Sequence, residues 1–161
     1  MKTAIVYYSM SGNTAYAAER MANALDADLI RLEPEKAYPD SGMKKFLWGG
    51  KSALMGETPK LTPYTFCADG YDRIVLGTPV WASSIAPPMR TFCKEHAEAL
   101  REKKVAAFVC CMGGGAEKAL ERLKTLLGRG AFEETLVLID PKDRPAPGKD
   151  AEIDTFCQKL Q

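Results

Sequence analysis

Histidine is nearly missing from this chain: 161 residues contain one, His96, beside five cysteines. That supply is poor for a Cys/His metal site. No two of Cys67, Cys93, Cys110, Cys111 and Cys157 have the spacing of zinc ligands or of a Cys-x-x-Cys redox centre. An odd set of thiols in this pattern points to a reducing, cytoplasmic setting. An excess of one charge is lacking too, since 22 basic residues against 21 acidic ones leave a net charge of +1. No polybasic stretch addresses nucleic acid or a membrane surface, so neither is expected as a partner. The longest uncharged stretch, Ile74 to Met89, holds three prolines and falls short of the roughly 20 apolar residues of a membrane helix. The apolar run after Lys2 stops at Ser9 and reads as a strand rather than as a signal peptide. Two nucleotide signatures are also absent where the first strand ends: the loop there lacks the Gly-Lys-Ser/Thr of a P-loop, and no Gly-x-Gly-x-x-Gly follows that strand.

What is present is alternation. Short apolar runs at Lys2–Tyr8, Asp28–Leu32, Tyr71–Gly77, Val105–Met112 and Leu136–Ile139 read as strands. Helical spacing lies between them at Asn13–Leu25, Pro87–Leu100, Ala116–Leu127 and Asp150–Leu160. Val105–Met112 is almost wholly apolar, as befits a strand covered on both faces. Strands alternating with helices predict an α/β fold, doubly wound, with a five-stranded parallel sheet and helices on both faces. The length suits one domain over 1–161. The segment 34–66 exceeds a usual connection. Met43, Phe46, Leu47 and Leu54 could cover a helix face there, although Gly49 and Gly50 interrupt it. A helix followed by a surface loop is expected, with Trp48 either packed or walling a ligand pocket.

In such a sheet, ligands bind beyond the carboxyl ends of the strands, where the strand order reverses. With the order 2-1-3-4-5, three loops converge there. The first is Ser9-Met10-Ser11-Gly12-Asn13-Thr14. Its hydroxyls, its glycine and the start of a helix make a nest for a phosphate. Lysine and arginine are absent from it, so hydrogen bonds rather than a positive side chain would hold the anion. The same residue types are also common helix N-caps. The second loop carries Trp81 just past a strand, where it could stack on a flat ligand. The third, Gly113-Gly114-Gly115, offers either a slot lined by backbone or a plain flexible turn.

A phosphate nest and a planar slot in one crevice describe a mononucleotide cofactor. The stretches "SMSGNT", "VLGTPVWASSIAPPMRTF" and "GGGAEKALERL" resemble the phosphate loop and the two flavin-edge loops of the flavodoxin family. The second stretch is closest to the flavodoxin-like NAD(P)H oxidoreductase branch. The resemblance implies FMN as cofactor. It implies that Ser9, Met10, Ser11, Gly12, Asn13 and Thr14 bind the phosphate. Thr78, Pro79, Val80, Trp81, Ala82 and Ser83 would flank the ring on one side, with Met112, Gly113, Gly114 and Gly115 on the other.

The chain departs from the carrier flavodoxins of that family in three ways. It is near neutral rather than acidic. Ala82 stands where many of them have a glycine whose peptide flips on one-electron reduction, and a turn with φ > 0 costs alanine roughly 1 kcal/mol. Ser83, Ser84 and glycines replace acidic and aromatic neighbours of the ring. These features imply an FMN-dependent NAD(P)H oxidoreductase acting on quinones, free flavin or a similar small-molecule electron acceptor. A one-electron carrier serving a redox partner protein is the alternative, and a homodimer is possible in either case. No residue is assigned as a catalytic acid or base. No arginine pair stands in the sequence where it would read a ribose phosphate, so NADH and NADPH are not told apart. The Cys67–Arg73 spacing matches a phosphatase loop, but Arg73 begins a strand. A receiver domain would need acidic residues where Tyr8, Ser9 and Thr78 stand. His96 is expected mid-helix in a structural or surface role. Cys110 and Cys111 are expected as small buried hydrophobes, with Cys111 able to approach the flavin.

Overall fold

The computed structural model describes residues 1–39 and 49–161. Five strands pair in parallel: β1 (Thr3–Tyr7), β2 (Asp28–Arg31), β3 (Arg73–Trp81), β5 (Lys104–Cys111) and β6 (Thr135–Ile139). Their order is β2-β1-β3-β5-β6, which is 2-1-3-4-5 among the parallel strands. A sixth strand, β4 (Ser84–Ile85), was not expected from the sequence; it pairs antiparallel with the end of β3.

The sheet separates two cores, and the alternation of side chains along each strand assigns them. Ile5, Val75, Ala106 and Phe108 face α1 (Asn13–Leu25) and α5 (Pro147–Leu160), where Met21, Ile153 and Phe156 are buried. Val6, Leu76, Val105 and Ala107 face α2 (Pro87–Glu95), α3 (Ala97–Arg101) and α4 (Ala116–Leu126), where Met89, Phe92 and Leu123 are buried. The strands β1, β3 and β5 therefore bury both faces, which is why their sequences are continuous apolar runs.

Three expectations need adjustment. Strand β3 runs on through Pro79 to Trp81 rather than ending at Gly77. Its pairing with β1 stops at Gly77, so Pro79 lies where one edge is already free and a missing N–H is tolerated. The helix expected over 87–100 breaks at His96, which has φ −115. The His96 ring packs on Phe66 and Phe92, with centroids 4.9 and 4.6 Å apart, and its Nε2 lies 2.8 Å from the Tyr64 hydroxyl. Burial holds the imidazole pKa below its usual range. In the long segment, residues 49–54 are helical and Pro34 bridges Leu61. Leu54 is exposed rather than packed. Met43, Phe46, Leu47 and Trp48 lie outside the described residues.

Candidate functional site

The carboxyl ends of β1, β3, β5 and β6 open on one cavity of about 290 Å³. Twelve of the sixteen residues singled out from the sequence line it: Ser9, Met10, Ser11, Asn13 and Thr14 from the first loop, then Pro79, Val80, Trp81 and Ala82, then Met112, Gly113 and Gly114. Gly12, Thr78, Ser83 and Gly115 are not among the lining residues.

The first loop is both a helix cap and an anion nest, and different groups do each job. The Ser9 hydroxyl accepts the Gly12 and Ala15 N–H groups at 3.2 and 3.1 Å. Tyr16 N–H donates to the Gly12 carbonyl. The N–H groups of Asn13 and Thr14 have no acceptor among the described residues. These are the unfilled donors of a 13-residue helix, and the positive end of its dipole points the same way. Gly12 adopts φ +98 to make the turn.

Positive side chains do reach this loop, contrary to the expectation from the sequence. Lys142 comes from the loop after β6. Its ammonium lies 2.9 Å from where a Cβ on Gly12 would sit, and it donates to the Ser11 carbonyl at 3.4 Å. Arg31, at the end of β2, donates to the Ser9 carbonyl at 3.1 Å. The Asn13 side chain is spent on docking the β6 loop. Its carbonyl accepts the Lys142 and Asp143 amides at 2.9 and 3.1 Å, and its NH₂ donates to Asp143 at 3.0 Å. Asp143 and Asp140 also line the cavity, and each has a basic partner, Lys142 at 4.0 Å and Arg144 at 2.9 Å. Arg144 further donates to the Met112 carbonyl, so the loop after β6 ties the first loop to the third.

The second loop is a two-residue hairpin turn. Ala82 and Ser83 have φ 49 and 57, the left-handed pair of a type I′ turn, between Trp81 and Ser84, which pair across it. The positive φ that alanine resists is therefore adopted here. Arg122 of α4 holds the turn from outside, donating to the Ser83 and Ala82 carbonyls at 3.1 and 3.4 Å. Thr78 is fully buried below it; its hydroxyl accepts the Ala86 N–H and donates to the Pro79 carbonyl. The Trp81 indole meets Tyr8 and Tyr38 edge-on, at centroid distances of 5.6 and 5.3 Å. Gly49 seats against its six-membered ring, and Gly50 lines the cavity beside it.

The third loop provides room. A Cβ at Gly113 or Gly114 would meet no protein atom within 4 Å. Gly115 has φ +83 and is pressed on Ser83, whose Oγ would lie 2.6 Å from an added Cβ. Beneath the loop lie Cys110 and Cys111, both lining the cavity. Burial pushes the Cys110 thiol up to about 12 and raises that of Cys111, so neither is a thiolate at neutral pH. Among the described residues there is no His/Cys/Asp/Glu group that could hold a metal ion, and no helix is long and apolar enough to cross a membrane.

The donor set suits a phosphate at the head of α1, and the open space between Trp81 and the two glycines suits a planar ring. Fold and site together define a doubly wound α/β protein of the mononucleotide-binding kind. The family model described as Flavodoxin matches residues 2–143, and the chain belongs to the flavodoxin family. Solved structures with similar folds include a flavoprotein in complex with FMN from Lactobacillus acidophilus NCFM, 21% identical, with a TM-score of 0.76 over 96% of this chain and 97% of that one. The apo form of the flavoprotein from the same organism is 23% identical, with a TM-score of 0.65 over 89% and 95% of the two chains. Two-electron reduced Megasphaera elsdenii flavodoxin is 19% identical, with a TM-score of 0.59 over 98% of each chain. No curated protein matches the chain in sequence.

Proposed function

We infer that the chain binds FMN and works as an NAD(P)H-dependent oxidoreductase that reduces quinones, flavins or similar small acceptors. The phosphate is held by the Asn13 and Thr14 N–H groups, the hydroxyls of Ser11 and Thr14, and the Lys142 ammonium. The ring lies between the Trp81–Ala82 side and the Gly113–Gly114 side. FMN, when bound, supplies the redox chemistry; the chain's own residues bind and orient it.

One observation carries the two-electron reading: Arg122 grips both carbonyls of the Ala82–Ser83 turn. A turn already left-handed and fixed from outside is not free to reorient a peptide between oxidation states. A Cβ at Gly113 or Gly114 would meet no protein atom within 4 Å, so no side chain of that loop's glycines covers the ring site. A one-electron carrier between protein partners is the second reading, favoured by family membership and by Met112, which is 63% exposed beside the cavity. A cytoplasmic location fits five free cysteines, four of them buried.

The test is anaerobic mixing of the FMN-loaded protein with one equivalent of NADPH, then NADH, following visible absorbance. Rapid bleaching without a long-wavelength radical band is expected. A flavin that stays yellow with both, yet gives that band on photoreduction, would establish the carrier reading instead.

A further inference from the structure

A second cavity, of about 590 Å³, adjoins the first on the far side of the Ala82–Ser83 turn. Its lining includes three cations, Arg90, Lys118 and Arg122, and one acid, Glu121. Glu121 is engaged by Lys124 at 2.6 Å. Lys118 has no partner among the described residues.

Arg90 is the informative group. It is 9% exposed, and no carboxylate pairs with it among the described residues. Its guanidinium donates to neutral acceptors only: the Ala53 and Glu57 carbonyls at 3.2 and 3.3 Å and the Ser84 hydroxyl at 3.1 Å. Burial, and then the charge of Arg122, lower its pKa. A buried cation without a counter-charge is costly and is relieved by an anion from outside. The positions make that anion part of a larger molecule. Arg122 touches the turn that walls the flavin cavity, and the helical stretch 49–54 lines the first cavity with Gly50 and the second with Ala53 and Leu54. A ligand with its phosphate among the three cations would lie beside the turn whose Ala82 lines the first cavity. Leu54 and Leu126 add an apolar wall suited to a purine.

We propose that this cation-lined groove binds the phosphate-bearing adenosine end of the nicotinamide donor, Lys118 and Arg122 reading the 2′-phosphate, so that NADPH is preferred to NADH. The proposal rests on the oxidoreductase reading for its choice of ligand, and on the groove alone for its choice of phosphate.

The experiment is calorimetric titration of the FMN-loaded protein with 2′,5′-ADP, 5′-AMP and inorganic phosphate. The expected result is that 2′,5′-ADP binds at least about tenfold more tightly than either of the others, and that Lys118→Glu and Arg122→Gln each abolish the difference. Far-ultraviolet circular dichroism and a thermal melt report that each variant is folded. Equal affinity for 2′,5′-ADP and 5′-AMP, or binding unmoved by both variants, overturns the proposal. Inorganic phosphate binding as tightly as 2′,5′-ADP overturns it too, because the groove would then hold any anion. If 2′,5′-ADP binds as expected while neither nicotinamide bleaches the flavin, the phosphate site stands and the oxidoreductase reading falls.

Discussion

The side-chain carbonyl of Asn13 accepts two consecutive backbone amides, those of Lys142 and Asp143, across 129 and 130 positions of sequence. Asn13→Ala strands both donors in a part-buried place. It is expected to cost about 2 kcal/mol of stability and to weaken FMN binding about tenfold. Thermal melts with and without FMN, and fluorescence titration of the flavin, measure both.

Lys142 supplies a positive side chain to a loop whose own sequence has none. Lys142→Ala is expected to weaken FMN binding severalfold, in a salt-dependent way, and to leave riboflavin binding unchanged, because riboflavin lacks the phosphate. Gly12→Ala adds a Cβ at φ +98 against that same ammonium and should cost about 1–2 kcal/mol. Combining it with Lys142→Ala should recover the steric part only. Denaturant unfolding of the two single variants and the double variant separates the terms.

Ala82 is a non-glycine residue at φ 49 in a two-residue turn. Ala82→Gly is expected to stabilise the protein by about 0.5 kcal/mol, the relief of strain exceeding the added chain entropy. Ala82→Val should destabilise it by about 1 kcal/mol or more. Equal midpoints for all three in urea unfolding would contradict the strained turn.

Glu133 receives two hydrogen bonds from Arg73, both at 2.6 Å, and Arg73 is 4% exposed. That guanidinium holds the Glu133 carboxyl below its ordinary value of 4.5. The pair's stabilisation is complete above that ordinary value and is lost as pH falls through the depressed folded value. Glu133→Gln is therefore expected to cost about 2 kcal/mol at about pH 7 and less at about pH 3. Unfolding free energies at the two pH values check the sign.

The sequence showed the architecture where strands are buried on both faces, because β1, β3 and β5 then have no polar alternation to mistake. It missed β4 and the true end of β3, since a proline and a tryptophan look like loop residues unless the missing neighbour at that edge is known. The break at His96 carries no glycine or proline signal; it comes with ring packing against Phe66 and Phe92. The loops after the first, third and fourth parallel strands were legible as site-forming, and they do meet. The loop after the fifth, with Asp140, Lys142, Asp143 and Arg144, was passed over. Its position beyond a strand's carboxyl end was the available signal. Its contacts with Asn13 and Met112 depend on chain folding that spacing does not reveal.

That last loop also sets a schedule for synthesis. Asn13 of the first loop is made 129 and 130 positions before the two residues that dock on it, Lys142 and Asp143. A chain that stops short of Lys142 lacks the two amides that Asn13 holds and the ammonium beside Gly12. Tight capture of the cofactor therefore waits on residues through Asp143, so a product truncated before them is expected to hold flavin less tightly.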